Sequence, residues 1–441
     1  MDLNVLTLRH FRTISRIAMR KAWQRLRHRE PAQAAPPAAE DAKPAEPLID
    51  VREMIANSSI PELNRIAELY FSSVTDRDYY LAKPFSVAGD TPALLINFAT
   101  MVQGMNLAPG TRVLDFGAGT GWTSRYMSQL GCAVTLLDVS PTALEIARDL
   151  YQRQPLIGDR PEPKFLVFDG FKIDLPDGSV DRILCFDSFH HAPNPRDVLF
   201  EFARILAPGG IAAFAEPGPE HSKMPQSQFE MRTHGVIEND IDIRAIWSWA
   251  QEAGFVDLKL AAYHIPPFHL SLDAYEELLR GGESYLRWAE LTRAFLGNVR
   301  NFFLKREGQE PLDSRRPESL IAKIEIDMPS SAKSGEKIPV RATITNEGRA
   351  VWLPSGVPPG GVSLGAHLYG EQGQLIRFDH HWQALTDPVR RIEPGETVSV
   401  QFALPPLDAG HYTIEFDCVA DRVAWFTQVG SSTVRRALVV A

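Results

Sequence analysis

The 441-residue chain has no apolar run of about 18 residues, the length a hydrocarbon-spanning helix needs, so no membrane span is expected. Its N-terminus is basic but has neither the continuous apolar core nor the small-residue cleavage site of a secretory leader. A cytoplasmic protein is expected, with a location peripheral to the inner membrane left open. Cysteine is scarce: Cys132, Cys185 and Cys418 stand far apart, with no metal-ligand spacing. That excludes a disulfide framework, predicts buried thiols in a reducing compartment, and gives the expectation of no bound metal. Excess positive charge is also missing. A net charge of −9 argues against nucleic acid as the main partner, because neutralising phosphates takes clustered Lys and Arg. Apolar content of 44% and charged content of 23% are ordinary for soluble domains, and the length allows two or three of them.

What is present is most informative at Asp115-Phe116-Gly117-Ala118-Gly119-Thr120-Gly121, which closes the apolar run Arg112-Val113-Leu114. Glycines at alternate positions let a backbone turn tightly and approach a ligand closely. A turn built for a dinucleotide offers backbone N–H groups to a pyrophosphate, and an acid at its mouth opposes that. Asp115 therefore predicts a cationic ligand, and the spacing also departs from G-x-G-x-x-G. A second apolar run, Val134-Thr135-Leu136-Leu137, ends in Asp138, and a third, Lys164 to Phe168, ends in Asp169-Gly170. An ionised carboxylate at the tip of the second strand can accept two hydrogen bonds from ribose hydroxyls.

These residues resemble motif I and the following strands of class I S-adenosylmethionine-dependent methyltransferases. The ordered series continues with Leu175-Pro176-Asp177-Gly178, Ile183 to Phe186, His190-His191 and Leu206-Ala207-Pro208-Gly209-Gly210. It is similar to the type 11 methyltransferases over roughly residues 90–265. The resemblance implies S-adenosyl-L-methionine as cofactor. Asp115, Gly117, Ala118, Gly119 and Gly121 would form its cradle, with Asp138 on the ribose, Asp169 and Gly170 at the adenine, and Phe186 lining the wall.

The chain divides as follows. Residues 1–30 are predicted to form a basic amphipathic helix, suited to an anionic membrane surface or an acidic partner, and equally readable as a solvated tail. Residues 31–48 are an Ala/Pro-rich linker. Residues 49–270 form the methyltransferase unit, where strand-like runs at 112–116, 134–138, 183–186 and 211–216 alternate with helical ones. That alternation predicts an α/β, Rossmann-like doubly wound sheet with ligands at the carboxyl ends of its strands. Tyr79 and Tyr80, just ahead of it, either cover the cofactor or simply pack. Residues 271–317 read as a helical lid or connector, because Trp288, Leu291, Phe295, Val299 and Phe302 recur at helical spacing. Only one of the family's two closing strands, 256–263, can be placed. From residue 318 to 441, six period-2 runs separated by turn clusters predict an antiparallel β-sandwich. It resembles the immunoglobulin-like modules beside bacterial surface-polysaccharide enzymes. Trp352, Trp382 and Trp425 are either a sugar-stacking surface or core.

Methyl transfer needs in-line positioning and, for a hydroxyl acceptor, a base. Asp187, His190, His191, Glu216 and His221 lie at or beyond strand ends. His191 and Glu216 are the candidate catalytic residues, with a structural role for the His pair kept open. The segment Phe186-Asp187-Ser188-Phe189 lacks the Asn/Asp-Pro-Pro-Tyr of amide- or adenine-nitrogen methyltransferases. The expected acceptor is a small molecule, a sugar or glycan hydroxyl of surface-polysaccharide biosynthesis. A lipid or quinone-like acceptor at the membrane face and a non-catalytic S-adenosylmethionine-binding adaptor are the alternatives.

Overall fold

A computed structural model describes residues 47–263, 269–386 and 390–441. The predicted N-terminal helix and nearly all of the linker lie outside the described residues. The chain enters through α1 (Val51–Ala56) and α2 (Ile60–Ser72), followed by α3 (Arg77–Leu81) and α4 (Thr91–Gly104). Ser59 and Glu62 form a reciprocal capping box at the start of α2, with Pro61 in its first turn.

The α/β unit follows as β1 (Arg112–Phe116), α5 (Trp122–Gln129), β2 (Ala133–Asp138), α6 (Pro141–Arg153), β3 (Lys164–Val167), β4 (Val180–Phe186), α7 (Pro195–Ile205) and β5 (Leu206–Pro217). It continues through α8 (Pro225–His234), α9 (Ile243–Ala253), β6 (Phe255–Leu260), α10 (Leu272–Leu279), α11 (Glu283–Asn298) and β7 (Val299–Arg306). The strands form one seven-stranded sheet in the order β3-β2-β1-β4-β5-β7-β6. β7 is antiparallel to both its neighbours, and the pairs from β3 through β5 are parallel.

Both faces of the sheet are covered, because successive side chains of a strand point to opposite faces. Leu114 and Phe116 pack with Phe202 of α7 and Ile246 of α9, whereas Val113 packs with Met101 of α4, Met127 of α5 and Leu144 of α6. Each such buried side chain contributes about 1.5–3 kcal/mol.

The boundary expected at residue 270 is corrected by β7. Segment 271–317 is not wholly helical: after α10 and α11, Val299–Arg306 enters the sheet beside β5. The Phe302 ring lies flat on Phe214 with centroids 4.4 Å apart. The helical stripe that includes Val299 and Phe302 in the sequence stops at Asn298 in the structure.

The C-terminal region contains β8 (Ala322–Asp327), β9 (Ser331–Ala332), β10 (Ile338–Asn346), β11 (Val362–Gly370), β12 (Leu375–Ala384), β13 (Thr397–Leu404), β14 (Gly410–Ala420), β15 (Ala424–Trp425) and β16 (Val434–Val440). Two largely antiparallel sheets, β13-β10-β8 and β12-β11-β14-β16-β9, enclose one apolar cluster that includes Trp352, Phe416 and Phe426. This is a β-sandwich. Trp352 is completely buried and belongs to the core. Trp382 is 42% exposed and, with Phe378 and Trp425, forms an aromatic cluster (ring centroids 5.3–5.5 Å apart) on the edge strand β12 and the neighbouring β15.

The sandwich docks on the amino ends of β1 and β4, the end of the sheet away from the glycine turn. Asp181 receives the Arg112 guanidinium at 2.7 Å and, from the sandwich, Arg391 at 2.7 Å. Burial alone would raise the Asp181 pKa, but the Arg112 hydrogen bonds and the Arg391 charge hold it below the usual carboxylate range. Arg182 pairs with Glu310, and Arg315 donates to the Leu107 carbonyl at 3.3 Å. A double-mutant cycle between Arg391→Ala and Asp181→Asn is expected to give a coupling energy of about 1–3 kcal/mol in urea unfolding. A coupling near zero would mean that the Arg391–Asp181 pair does not help to hold the two domains together.

Candidate functional site

The crevice lies at the carboxyl ends of β1, β2 and β4. Gly117, Gly119 and Gly121 all have positive φ (63°, 52° and 80°), which explains the residue type at each. They differ in what surrounds them. A Cβ on Gly117 would come 2.5 Å from Ser188 Cβ, and one on Gly121 would come 2.9 Å from both Ala147 and Leu136. At Gly119 the space is open, with nothing nearer than the Phe71 ring of α2 at 3.9 Å. Gly117 and Gly121 are glycines because the protein packs against them. Gly119 leaves room for a ligand.

Asp138 borders that room. Its Oδ2 accepts from the Gly119 N–H and its Oδ1 from the Ser140 N–H, both at 2.8 Å, so each oxygen keeps a lone pair for further donors. Ala118, between the glycines, is buried and donates to the Leu137 carbonyl at 3.0 Å, tying the turn to β2. Asp169 is exposed after β3, and its Oδ1 caps its own turn by accepting from Phe171 N and Lys172 N. Gly170 beside it is buried under Ile60 and Asn64. Phe186 stands edge-on to Trp122, with ring centroids 5.3 Å apart. Tyr80 is buried among Phe71, Trp122 and Ile146, so it packs; the ring placed over the glycine turn is Phe71.

Asp115 departs from the expectation. It is 1% exposed, and its Oδ2 accepts from Thr123 Oγ1 and Ser124 Oγ, both at 2.6 Å. It faces the same side of the sheet as Val113, the side that α5 covers, and so lies under the turn rather than at its mouth. It holds the start of α5 and has no surface to offer a cation. Burial raises its pKa to about 6, with the Ser124 and Thr123 hydrogen bonds acting in the opposite direction. The folded protein thus holds this proton more tightly than the unfolded chain, so the group's contribution to stability falls as pH rises from about 4 to about 6. Asp115→Asn is expected to flatten that part of the profile. Relative to the parent, it should gain about 3 kcal/mol between pH 4 and pH 7 in urea unfolding, and parallel profiles would refute this.

At the ends of β4 and β5 the structure gathers Asp187, His190, His191, Glu216 and His221. Glu216 is 2% exposed, and its carboxylate is taken up by the protein itself. Oε1 accepts from Ser188 N at 3.1 Å and Phe189 N at 2.8 Å, while Oε2 lies 2.7 Å from His190 Nδ1. Burial pushes its pKa up to about 7. As a candidate base Glu216 is therefore corrected: no acceptor can reach it, and it is a positioning residue that shapes the turn Phe189–His191.

His191 is the ring on that turn that solvent reaches. Its Nδ1 lies 2.7 Å from the Ile237 carbonyl, which can only accept, so Nδ1 carries the proton and Nε2 the lone pair. Partial desolvation on the turn, and then the neighbouring His190, lower its pKa. Burial raises the pKa of the neighbouring Asp138 above the usual carboxylate range, against the hydrogen bonds from Ser140 N and Gly119 N. Asp187 is half-buried with φ 49°, and burial, then the Glu216 charge, raises it to about 7. The charge of Lys83 opposes that rise, and Lys83 is itself lowered by burial.

Sequence reasoning missed Phe71, Lys83 and Glu238. Glu238 reaches His221 Nε2 at 2.6 Å from the loop between α8 and α9, where nothing in the local sequence marks it.

Residues 114–214 match the family model described as a methyltransferase domain. Over those residues the sequence is that of a methyltransferase domain. Its cofactor is S-adenosyl-L-methionine, and the open space at Gly119 beside the Asp138 carboxylate fits a nucleoside without phosphates. Over 116 residues the chain is 36% identical to a demethylmenaquinone methyltransferase of Tropheryma whipplei (strain Twist), covering 26% of this chain and 46% of that protein. It is 34% identical over 120 residues to a glycine/sarcosine/dimethylglycine N-methyltransferase of Actinopolyspora halophila, covering 26% and 20%. A mitochondrial ubiquinone biosynthesis O-methyltransferase of Schizosaccharomyces pombe is 31% identical over 116 residues, covering 26% and 41%. The methyltransferase domain's match thus spans less than half the length of each of these relatives. Among solved structures, a Haemonchus contortus phosphoethanolamine N-methyltransferase 2 aligns at 18% identity with a TM-score of 0.40, over 58% of this chain and 61% of that one. No described helix is long and apolar enough to cross a membrane.

Proposed function

We propose that the whole chain is a small-molecule methyltransferase acting on a hydroxyl of a sugar or glycan in surface-polysaccharide biosynthesis. The open crevice at Gly119, bordered by Asp138, is the observation that carries methyl transfer. The bound cofactor supplies a methyl carbon already activated by a sulfonium, so the protein has to position the acceptor and remove a proton. Asp138 takes the ribose hydroxyls, the free oxygen of Asp169 takes the adenine amine, and Phe186 walls the crevice. His191, its Nδ1 engaged by the Ile237 carbonyl, has its Nε2 lone pair left to accept the acceptor's proton.

The glycan part of the proposal rests on the sandwich, which we read as immunoglobulin-like. Phe378, Trp382 and Trp425 offer apolar ring faces of the kind that stack on sugars. The sandwich docks at the amino ends of the strands, so this cluster would hold a part of a long acceptor remote from the reacting hydroxyl.

A second reading, a quinone or lipid acceptor at the membrane face, draws on the names of the relatives and on the basic segment 1–30. The test is to incubate the full chain with methyl-labelled cofactor and fractionated cell extract. Label in water-soluble glycans that yield O-methyl sugars on hydrolysis is the expected outcome. Label in the organic extract, lost on removing residues 1–47, would replace this reading with the lipid one. Cofactor binding by calorimetry with no labelled product would leave a non-catalytic adaptor.

A further inference from the structure

Three elements distant in sequence bring two imidazoles and a carboxylate to one point beside the proposed acceptor recess. His190 comes from the short turn after β4, His221 from the turn His221–Lys223 after β5, and Glu238 from the loop before α9. Their ligand atoms all lie within 4.8 Å of one another. Glu238 Oε2 is 2.6 Å from His221 Nε2 and 3.6 Å from His190 Nε2.

The arrangement around the cluster is that of a ligand set held in place. His190 Nδ1 sits 2.7 Å from Glu216, which fixes the ring with its proton on Nδ1 and the Nε2 lone pair turned toward Glu238. A carboxylate behind the far nitrogen of a histidine is the usual support of a metal-binding imidazole. A lone pair and a carboxylate oxygen 3.6 Å apart, too far for a hydrogen bond, face each other in a buried setting, and a cation between them removes that repulsion. The loop is pinned as well. Asn239 N donates to the His190 carbonyl at 3.1 Å, and Asp240 accepts from Ser222 N at 2.7 Å.

We propose that His190, His221 and Glu238 bind a divalent first-row transition metal, leaving an open coordination position for an oxygen of the acceptor. Two nitrogens and one carboxylate oxygen without a thiolate suit zinc, cobalt or iron(II). Tetrahedral ligands about 2.0–2.2 Å from the metal stand about 3.3 Å apart, so His190 and Glu238 at 3.6 Å meet that spacing. The 2.6 Å His221–Glu238 hydrogen bond opens and gives up its proton when the ion enters. His221, with its side chain 23% exposed, marks the side from which the ion and its fourth ligand enter. The ion site itself does not depend on methyl transfer, whereas its role toward the acceptor rests on the proposed function.

The test uses the full chain stripped with a chelator and titrated with Co²⁺ and Zn²⁺ by visible spectroscopy and calorimetry. One equivalent per chain is expected, with nitrogen and oxygen ligation in the X-ray absorption spectrum of the Co²⁺ form. Glu238→Gln and His221→Asn should each weaken binding by more than about 100-fold, beyond the 10–100-fold typical of losing a supporting partner. His234→Ala, in a histidine outside the cluster, should leave it unchanged. S-adenosylmethionine affinity serves as the fold control for each variant. Should a variant misfold, the stoichiometry and ligation of the parent protein still decide. Sub-stoichiometric binding, or equal affinity in parent and folded ligand variants, overturns the site. Because no arm of this test uses methyl transfer, a failed metal site and a failed methyltransferase reading give different results.

Discussion

Gly119→Arg is expected to abolish S-adenosyl-L-methionine binding, by more than about 100-fold in calorimetry, while both domains stay folded. The physical basis is the difference among the three glycines of the turn. At Gly117 and Gly121 any side chain runs into Ser188, Ala147 or Leu136 at 2.5–2.9 Å, so substitution there damages the fold before it reports on the ligand. At Gly119 a side chain projects into open space, with only the Phe71 ring at 3.9 Å. Its φ of 52° costs a non-glycine residue about 1–2 kcal/mol, which a domain of ordinary stability survives. The unfolding midpoint should therefore drop by only a few degrees, with the circular dichroism spectrum unchanged. Undiminished cofactor affinity in a folded Gly119→Arg protein would remove the crevice from the cofactor site and the proposed function with it.

Much of the α/β unit was legible because its signals are local. The runs at β1, β2 and β4 are apolar on both faces, as strands covered on both sides must be, and each ends in a glycine turn or an acid. What stayed hidden depends on partners far along the chain. The direction in which Asp115 points follows from strand alternation: Val113 and Asp115 share the face under α5, so with both faces covered the acid could not be at the surface. The helical spacing of Trp288, Leu291 and Phe295 runs on into Val299 and Phe302 across Gly297-Asn298, where the helix ends, and only pairing with β5 turns the following stretch into β7. β12 was missed because an edge strand lacks strict alternation: Leu375, Ile376, Phe378 and Trp382 are all exposed. His190 and His221 were visible as candidates, but their convergence with Glu238 is a product of two loops crossing, which spacing in the sequence does not encode.

Glu216→Ala is expected to be the most destabilising single change at the site, by about 3–5 kcal/mol in urea unfolding. The carboxylate satisfies the backbone N–H groups of Ser188 and Phe189 and holds the His190 ring, all in a buried setting. Removing it strands those donors, at about 1–3 kcal/mol for each buried group left unpaired, with the sum limited by relaxation of the turn. Glu216→Gln separates this structural role from a chemical one. Its amide oxygen can still accept from Ser188 and Phe189, so the protein should fold. Its NH₂ group, however, would face His190 Nδ1 and force the proton of that ring onto Nε2. Imidazole ¹⁵N shifts should report the exchanged tautomer of His190, while His191, held through Ile237, keeps its own. A base acting directly on the acceptor would behave differently: the Ala and Gln variants would both lose methyl transfer and both keep the parent's unfolding free energy. An unchanged unfolding free energy in Glu216→Ala would return Glu216 to the list of groups that touch substrate. A loss of several kcal/mol confines it to holding the turn from which His190 and His191 project.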